Sequence, residues 1–525
     1  MPEYLHPGVY VEEIERGPRP IEGVPTSTAA FLGETERGPI RPRLVTSYND
    51  YRRLFGGVFR ADAYMPYASN GFFENGGKSL YVCRIVPPDA QTASRDFGNN
   101  FFLRAIGAGA WGNRIYAAIE DSSTKDSSGA PVGFRLKVAY WANVPNNFTP
   151  YDPFNVDNRM ILPRPALLED FDDLSGDPAS PDYYTKRLGT EQNPNSALVF
   201  LNGGTAVPPA KPNNSAFDFL QNGSDGSAIT SADYTGLPAS LRTADQGIAA
   251  LTLDEFRDIA LVYAPHPAVA GPKEVNTLVK DHCELSRFRF AVMDSLPNQS
   301  DPGSVNPRDS SQWSIDSSYA AIYYPWLYVS DPQTGARVKV PPGGYALGVY
   351  ARTDTDRGVF KAPANEIARG VLDLEYDIND KQQDTLNPRG VNAIRKFPGR
   401  GIRIWGARTL TSNALWKYVS VRRLFIFLER SIYEGTQWVV FEPNDYALWA
   451  RVKDTIRLFL RSQWRQGALF GRTEDEAFFI TCDKTTMSQD DILNGRLICE
   501  IGIAPVRPAE FVIFRIFQQT AEAQR

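Results

Sequence analysis

The 525-residue chain has few of the residues that hydrolytic catalysis and metal binding require. It contains three histidines, His6, His266 and His282, and no CxxC pair. His266 lies between two prolines, and His282 is adjacent to Cys283 in a predicted helix, where neighbouring side chains point ~100° apart. These residues do not suggest a histidine-based triad or a zinc site. We therefore expect no catalytic residue, no metal ion and no cofactor.

Excess positive charge and long apolar runs are also lacking. The formal net charge of −5 argues against a protein dedicated to nucleic-acid binding. No apolar run approaches the ~20 residues that span a bilayer, and the first residues lack the pattern of a secretory signal. We expect a protein made in the cytoplasm that does not insert into a membrane. The four cysteines are far apart and are predicted to be buried free thiols: Cys83, Cys283, Cys482 and Cys499.

One glycine-rich segment is similar to a nucleotide-binding loop but departs from it at a decisive position. Residues 71–79 read GFFENGGKS. A P-loop requires a glycine five residues before its Gly-Lys-Ser, and Phe72 occupies that position. A helix is predicted before the segment and a strand after it, which reverses the P-loop order. The segment is therefore predicted to be a turn that ends a helix.

Apolar runs alternate with helical segments in two parts of the chain. Strands are predicted near residues 29–33, 79–86, 259–263, 288–293 and 320–324, with a helix over 273–287. This alternation predicts a parallel sheet with helical crossovers, an α/β core. Between the two parts, residues 91–244 are rich in Ser, Asp, Asn, Gly and Pro, with short apolar runs between polar turns. That texture predicts an inserted β-rich domain.

Both ends of the chain have the pattern of single extended strands. A run near the start is bounded by Pro7-Gly8 and Pro18, and a run near the end gives way to a polar tail. A lone terminal strand gains stability only by pairing. We therefore expect each run to pair with a sheet, and an edge in the same chain stays open as one acceptor. The predicted pairing residues are Val9, Tyr10, Val11, Glu12, Ile14, Phe511, Val512, Ile513, Phe514, Arg515, Ile516 and Phe517.

Residues 388–472 are basic within an acidic protein, with sixteen Lys and Arg against five Asp and Glu. A helix is predicted there, with Asn444 as its cap and Asp445 in its first turn. Its apolar positions recur at helical spacing and are expected to be buried: Trp449, Val452, Ile456 and Phe459. Its exposed face carries Arg451, Lys453, Arg457, Arg461 and Arg465. Three interpretations remain open for these residues: a solvated face, nucleic-acid binding, or docking onto an acidic protein surface.

A series of ordered motifs resembles the contractile tail sheath family of phages and related injection systems. The resemblance covers residues 1–90 and 245–525, whereas the segment between them matches only loosely. The motifs lie at residues 7–13, 72–77, 348–354, 357–365, 386–395, 399–410, 421–424, 441–444 and 505–511.

The resemblance implies an α/β fold with a subtilisin-like α/β core that lacks the catalytic residues. It also implies an α+β C-terminal domain that lines the sheath interior, and an insert displayed outside. The two terminal arms are implied to add strands to small sheets in neighbouring subunits. The expected domains are an N-terminal extended arm at 1–20, a core at 21–90 and 245–365, an inserted β-rich outer domain at 91–244, a C-terminal inner sheath domain at 366–508 and a C-terminal arm at 509–525.

In function, the resemblance implies a sheath subunit that polymerises helically around an inner tube and contracts to drive the tube through a target envelope. The implied partners are copies of the chain itself in stacked hexameric rings, an inner tube protein, and baseplate and terminal cap proteins. The five basic side chains of the predicted helix would then face the tube. The particle would assemble in the cytoplasm, as a virion component or as a tail-like particle released or anchored through its baseplate. The alternatives are a divergent subtilisin-type hydrolase, active or catalytically dead, and a monomeric adhesion module built on the insert.

Overall fold

The computed structural model describes residues 20–145, 148–202, 211–236, 246–267 and 270–515. These residues form two compact units. The larger unit is Pro25–Arg423, and the smaller unit comprises the described residues of Met1–Val24 and Leu424–Arg525.

The larger unit begins with strands and helices that join its main sheet. They are β1 (Ala29–Gly33), β2 (Arg43–Val45), α1 (Tyr48–Phe55), α2 (Met65–Glu74) and β3 (Leu80–Arg84). The following stretch is mostly strand and contains β4 (Ser94–Asp96), β5 (Phe102–Ala105), β6 (Ile115–Asp121), β7 (Phe134–Tyr140), β8 (Leu167–Leu174), α3 (Tyr184–Leu188), β9 (Val199–Asn202), β10 (Ser215–Phe219) and α4 (Ser231–Thr235).

The remainder of the larger unit alternates helices and strands. Its elements are α5 (Gly247–Ala250), β11 (Leu261–Tyr263), α6 (Pro272–Ser286), β12 (Phe290–Asp294), β13 (Ala320–Tyr324), β14 (Leu327–Ser330), β15 (Arg337–Val340), α7 (Gly343–Arg357), β16 (Glu366–Ile367), β17 (Val371–Leu374), α8 (Asp380–Leu386), β18 (Val391–Phe397) and β19 (Gly401–Ile404). Helix α9 (Val419–Gly435) continues into the smaller unit, which also contains α10 (Tyr446–Arg465), α11 (Glu474–Ala477), β20 (Phe478–Thr481), α12 (Gln489–Leu493) and β21 (Glu500–Ile503).

A nine-stranded sheet forms the centre of the larger unit, in the order β16-β19-β18-β13-β12-β11-β1-β3-β2. The six consecutive strands from β18 to β3 run parallel, whereas β2, β19 and β16 are antiparallel to their neighbours. Every residue of β1, β12 and β13 is buried, as expected for parallel strands that are covered on both faces. The mixed α/β class and the parallel sheet predicted from the sequence are confirmed.

The strands between residues 94 and 219 form two antiparallel sheets, β10-β6-β7-β8 and β4-β5-β9. They share a hydrophobic core that includes Leu103, Trp111, Phe134 and Leu198. This core is separate from the cluster that includes Val262, Met293 and Ile322 of the nine-stranded sheet. Residues 94–219 therefore bury an apolar interior of their own.

Glycines in two of the sequence motifs allow α2 and α7 to pack very closely. A Cβ atom added to Gly71 would lie 2.5 Å from the ring of Tyr345, and one added to Gly348 would lie 2.5 Å from the carbonyl oxygen of Phe72. No larger side chain fits either contact without moving the neighbouring atoms. The same region contains the glycine turn predicted after α2, where Gly76 has a φ of 115°, a conformation that favours glycine.

A buried ion pair joins three parts of the larger unit. Arg423 at the start of α9 approaches Asp354 in the last turn of α7 with nitrogen–oxygen distances of 2.5 Å and 3.0 Å. The hydroxyl of Thr26 donates to the same carboxylate at 2.6 Å, and the guanidinium donates to the Thr26 carbonyl at 2.9 Å. The side chains of Arg423 and Asp354 are only 3% and 5% exposed. A two-point guanidinium–carboxylate contact of this kind is strong and directional.

Replacement of Asp354 by alanine should strongly destabilise the larger unit. It would leave the Arg423 guanidinium buried without its counter-ion, which costs about 3–5 kcal/mol. The free energy of unfolding from a urea titration, followed by tryptophan fluorescence, measures this loss. The control is Asp182→Ala, which breaks an exposed ion pair with Arg187 and should cost less than about 1 kcal/mol. Equal losses in the two variants would contradict the role assigned to the buried pair.

Candidate assembly surfaces

The two described histidines are both buried, and the ring of His282 has a protein partner. The Nε2 atom of His282 lies 2.6 Å from a guanidinium nitrogen of Arg289, and burial together with this positive charge lowers the pKa of His282 to about 3. Burial lowers the pKa of His266 to about 4. A general base needs access to substrate and a pKa near the working pH, and neither ring meets these conditions. His6 lies outside the described residues.

Metal-ligand geometry is also missing from the part of the chain that the structure describes. Within those residues, no group of three or more His, Cys, Asp and Glu side chains is placed to hold a metal ion.

A cavity of about 710 Å³ lies beyond the carboxyl ends of β1 and β3. Its carboxylates are already bonded to the protein. Glu34 pairs with Arg60 at 2.8 Å, Glu36 accepts from the Tyr140 hydroxyl at 2.6 Å, and Asp225 accepts a backbone N–H at 2.8 Å. These contacts hold the segments that line the cavity, and they leave no pair of free carboxylates for acid–base catalysis.

The most conspicuous surface feature is an apolar run near the end of the chain. Phe511, Val512, Ile513 and Phe514 are 71%, 68%, 77% and 84% exposed. Residues 510–515 form no strand within the single chain, although the sequence pattern predicts one over 510–517. An extended segment without a neighbouring edge has no ladder of hydrogen bonds to join, so strand geometry requires a partner. The predicted pairing residues from Val9 to Ile14, together with Ile516 and Phe517, lie outside the described residues.

The smaller unit contains a two-stranded antiparallel sheet of β20 and β21, with Phe478 opposite Ile503. Among the described residues, neither strand pairs with a further strand. The ring of Phe479 covers Gly502 on the facing strand, where an added Cβ would lie 2.0 Å from the ring. Isolated two-stranded sheets are marginal in water, so open edges on both sides are unusual. This sheet was not predicted from the sequence, although the runs 477–482 and 498–503 both have β-type composition.

Helix α10 is present as predicted, and Trp449, Val452, Ile456 and Phe459 are all buried. Its N-cap is Asp445 and not Asn444, which corrects the sequence prediction. Asp445 has extended backbone geometry, and its carboxylate accepts the Leu448 N–H at 2.8 Å. Asn444 instead accepts the indole N–H of Trp449 at 2.7 Å and donates to the Arg496 carbonyl. The two residues compete for the cap, and only the backbone conformation decides between them.

The basic face of α10 is partly neutralised by acidic residues of the same unit. Arg457 and Arg461 both pair with Glu474, at 3.1 Å and 2.6 Å. Arg451 pairs with Glu442 at 3.1 Å. Lys453 and Arg465 have no acidic partner within 4.0 Å among the described residues, so no neighbouring carboxylate balances their charge. That these five side chains contact a tube stays a prediction.

Helix α10 is the longest helix of the described ranges, but it lacks the hydrophobicity of a membrane span. None of the other described helices combines the necessary length and hydrophobicity either.

Two family profiles match adjacent parts of the chain. A profile of the phage tail sheath protein central domain matches residues 227–410. A profile of the phage tail sheath C-terminal domain matches residues 411–519. Together they span more than half of the chain and include the strands of the nine-stranded sheet from β11 onward, the buried ion pair and residues 424–515 of the smaller unit.

Curated relatives and solved structures point to the same family. A prophage major tail sheath protein of Pseudomonas aeruginosa strain UCBPP-PA14 is 27% identical over 256 residues, which is 48% of this chain and 63% of that protein's own length. The tail sheath protein of Burkholderia phage BcepMu is 22% identical over 89% of this chain and 88% of its own. The contracted sheath complex of the extracellular contractile injection system PVC has the same fold, with a TM-score of 0.58, 22% identity and coverage of 100% of both chains.

The pairing of His282 with Arg289 predicts a specific pH dependence of stability. The native pKa of His282, about 3, lies below its ordinary value of 6.5. Between these pH values the unfolded chain binds a proton that the native state excludes. The stability from the neutral ring is therefore fully present above pH 6.5 and is lost as the pH falls toward 3.

The variant His282→Gln keeps an acceptor for Arg289 and removes the titrating ring. Its free energy of unfolding should fall less steeply on acidification, by up to about 1.4 kcal/mol per pH unit. Urea titrations at a series of pH values between neutrality and mild acid measure the two slopes. Identical slopes would show that His282 is not held neutral in the native state.

Proposed function

Because the chain belongs to the phage tail sheath family, we propose that it is a structural sheath subunit that polymerises helically around an inner tube. Contraction of the polymer drives the tube through a target envelope. The observation that carries this proposal is the exposed apolar run at residues 511–514, which has no partner within its own chain among the described residues. Such a run is suited to completing a sheet in a neighbouring subunit.

Strand addition explains why an exposed segment of this composition is useful. Pairing satisfies backbone donors and acceptors, and alternate side chains supply specificity. At about 0.5–1.5 kcal/mol net per hydrogen bond, one arm contributes only a few kcal/mol. Two arms per subunit, at residues 1–20 and 509–525, would link each copy to several others. The resulting mesh can deform without dissociation, because no single contact carries the whole load.

The sheet of β20 and β21 is the acceptor that we assign to these arms. It has two strands, and neither pairs with a further strand among the described residues. One added strand on either side would bring it to the three or more strands that are stable in water. The open edges and the exposed run thus complement each other: one chain supplies strands, and the neighbouring chain supplies the sheet.

Contraction in this proposal needs no nucleotide. The extended sheath is held on the tube by weak contacts from the smaller unit, and contacts between subunits become more extensive as the cylinder shortens and widens. The extended sheath has a higher free energy than the contracted sheath. This difference is stored at assembly and is released as contraction spreads from the baseplate along the sheath. This is kinetic trapping followed by rigid-body rotation of subunits that the arms keep connected.

The remaining partners and the location follow from the same proposal. We assign an inner tube protein, a baseplate and a terminal cap as partners, and stacked hexameric rings as the arrangement of the copies. The particle assembles in the cytoplasm and is released or anchored through its baseplate. The run of six parallel strands with helical crossovers supports a subtilisin-like core. Residues 94–219 have a hydrophobic core of their own. This separation supports an outer domain that is inserted into the sequence of the α/β domain.

Removal of the C-terminal arm should abolish polymerisation and leave the subunit folded. A chain ending at residue 508 lacks the whole exposed run, whereas a matched chain ending at residue 517 loses only the polar tail. Negative-stain microscopy should show hollow striated cylinders for the wild type and for the longer truncation. The shorter chain, and a chain without residues 1–20, should remain soluble subunits with unchanged circular dichroism. Cylinders formed by the chain ending at 508 would contradict the assignment.

The contact of α10 with the tube should be electrostatic. Co-sedimentation of sheath with purified tube should weaken as salt is added, because screening shortens the range of surface charge. Neutralisation of Lys453 and Arg465 together, as Lys453→Gln with Arg465→Gln, should weaken tube binding and reduce its salt dependence. Arg457→Gln is the matched control, since Glu474 already pairs with this side chain. Binding that is insensitive to salt would remove α10 from the tube interface.

A further inference from the structure

Two of the four cysteines, Cys482 and Cys499, face each other across the two-stranded sheet. Cys482 directly follows β20, and Cys499 directly precedes β21. In the register of the sheet, Thr481 lies opposite Glu500, so the next pair outward is Cys482 and Cys499. The two thiols also lie close enough for each to affect the pKa of the other. Their separation by seventeen positions along the chain gives no hint of this proximity.

The hydrogen-bond pattern of the sheet places these cysteines at a position suited to a covalent bridge. The Ala504 N–H donates to the Ala477 carbonyl at 2.9 Å, which makes this a hydrogen-bonded pair. Hydrogen-bonded and non-hydrogen-bonded pairs alternate along an antiparallel ladder, so Cys482 and Cys499 fall on a non-hydrogen-bonded pair. Cys482 and Cys499 lie one residue beyond the last paired residues of this ladder. At a non-hydrogen-bonded pair of a regular sheet the Cα atoms are about 4.5 Å apart, within the range of about 4.4–6.8 Å that disulfides span.

The surroundings of the two thiols differ in access. Cys482 is only 2% exposed and directly follows β20, which packs against α10, whereas Cys499 is half-buried. Burial and the neighbouring Cys482 thiol raise the pKa of Cys499 to about 12. Burial also raises the pKa of Cys482. At neutral pH only a small fraction of either cysteine is therefore thiolate, so thiol–disulfide exchange is slow. Both cysteines remain free thiols until they have been exposed to an oxidant for a long time.

We propose that Cys482 and Cys499 are a disulfide site that closes when the protein meets a low-molecular-weight disulfide such as oxidised glutathione. The Cys499 thiolate attacks one sulfur of the small disulfide, forms a mixed disulfide and releases one small thiol. The Cys482 thiolate then attacks the Cys499 sulfur and releases the second small thiol. Two protons leave the protein thiols, and two electrons reduce the small disulfide, so the exchange balances without another reactant.

The bridge would close the segment between the two strands, which contains α12. Cross-linking this segment restricts the unfolded chain and therefore favours the paired strands. The remaining cysteines lie elsewhere: Cys83 is in β3 and Cys283 is in α6, both buried in the larger unit. The site belongs to the smaller unit alone, and it does not depend on the assembly proposed above.

The first experiment maps the bond in the full-length protein. The chain is incubated with oxidised glutathione, unfolded, alkylated and digested without reduction. We expect a single linked peptide pair containing Cys482 and Cys499, with a mass lower by two hydrogens, and alkylated Cys83 and Cys283. Links between chains on a non-reducing gel, or Cys499 and Cys482 both alkylated after prolonged oxidation, would overturn the proposal.

Two single variants test the order of the steps. In Cys482→Ser, the half-buried Cys499 has no partner to resolve it and should retain bound glutathione. In Cys499→Ser, the buried Cys482 should remain unmodified under the same conditions. Equal modification of the two variants would contradict the roles given to the two sulfurs. Serine is close to cysteine in size, and circular dichroism checks that both variants fold.

A stability measurement separates this site from the assembly function. Oxidation should raise the midpoint of thermal unfolding of the smaller unit in the wild type, and it should leave the midpoint of both serine variants unchanged. An unchanged wild-type midpoint after complete closure of the bond would show that the bridge does not restrict the sheet. The linked peptide and the unfolding midpoint are measured separately from the formation of cylinders, so a failure here leaves polymerisation untouched, and a failure to polymerise leaves the thiol result intact.

Discussion

The ion pair between Asp354 and Arg423 is the contact on which the organisation of the larger unit depends. It fixes the end of α7, the segment that leads into β1 and the beginning of α9 with four hydrogen bonds around one carboxylate and one guanidinium. Both ions are almost fully removed from water, so each depends on the other for its solvation. The chain enters the larger unit at Pro25 and leaves it at Arg423. The pair therefore closes the unit at the point where both ends of its chain meet.

The glycines of α2 and α7 show a second constraint of the same kind. Gly71 and Gly348 leave room for two helices that almost touch, and Gly76 supplies the turn that returns the chain to β3. Gly71 and Gly76 lie in the segment that is similar to a nucleotide-binding loop, and Gly348 lies in a family motif. In both segments glycine is required because two stretches of backbone approach each other closely. In this protein the glycine-rich segment is needed for packing, and the P-loop interpretation loses its basis.

Sequence reasoning succeeded where periodicity is strong. The buried strands of the central sheet and the apolar face of α10 are long, regular patterns, and they lie close to the predicted positions. It failed where the structure depends on the backbone conformation of a single residue or on the pairing of strands that are distant in sequence. Asn444 and Asp445 are both good caps, and only the extended backbone at Asp445 selects it. Cys482 and Cys499 meet because β20 and β21 pair, and no spacing rule brings them together. The arms stay a prediction: residues 510–515 form no strand within the chain, and a strand acquires its geometry only from a sheet edge with which it pairs.

In the proposed polymer, the two-stranded sheet of one subunit binds the exposed apolar run of the next. Growth of such a polymer begins only above a critical concentration, because the first few subunits gain fewer contacts than those added later. A preformed template removes this lag. In the proposed assembly, free subunits would stay in solution until a template is present, and the position of the template would decide where growth starts.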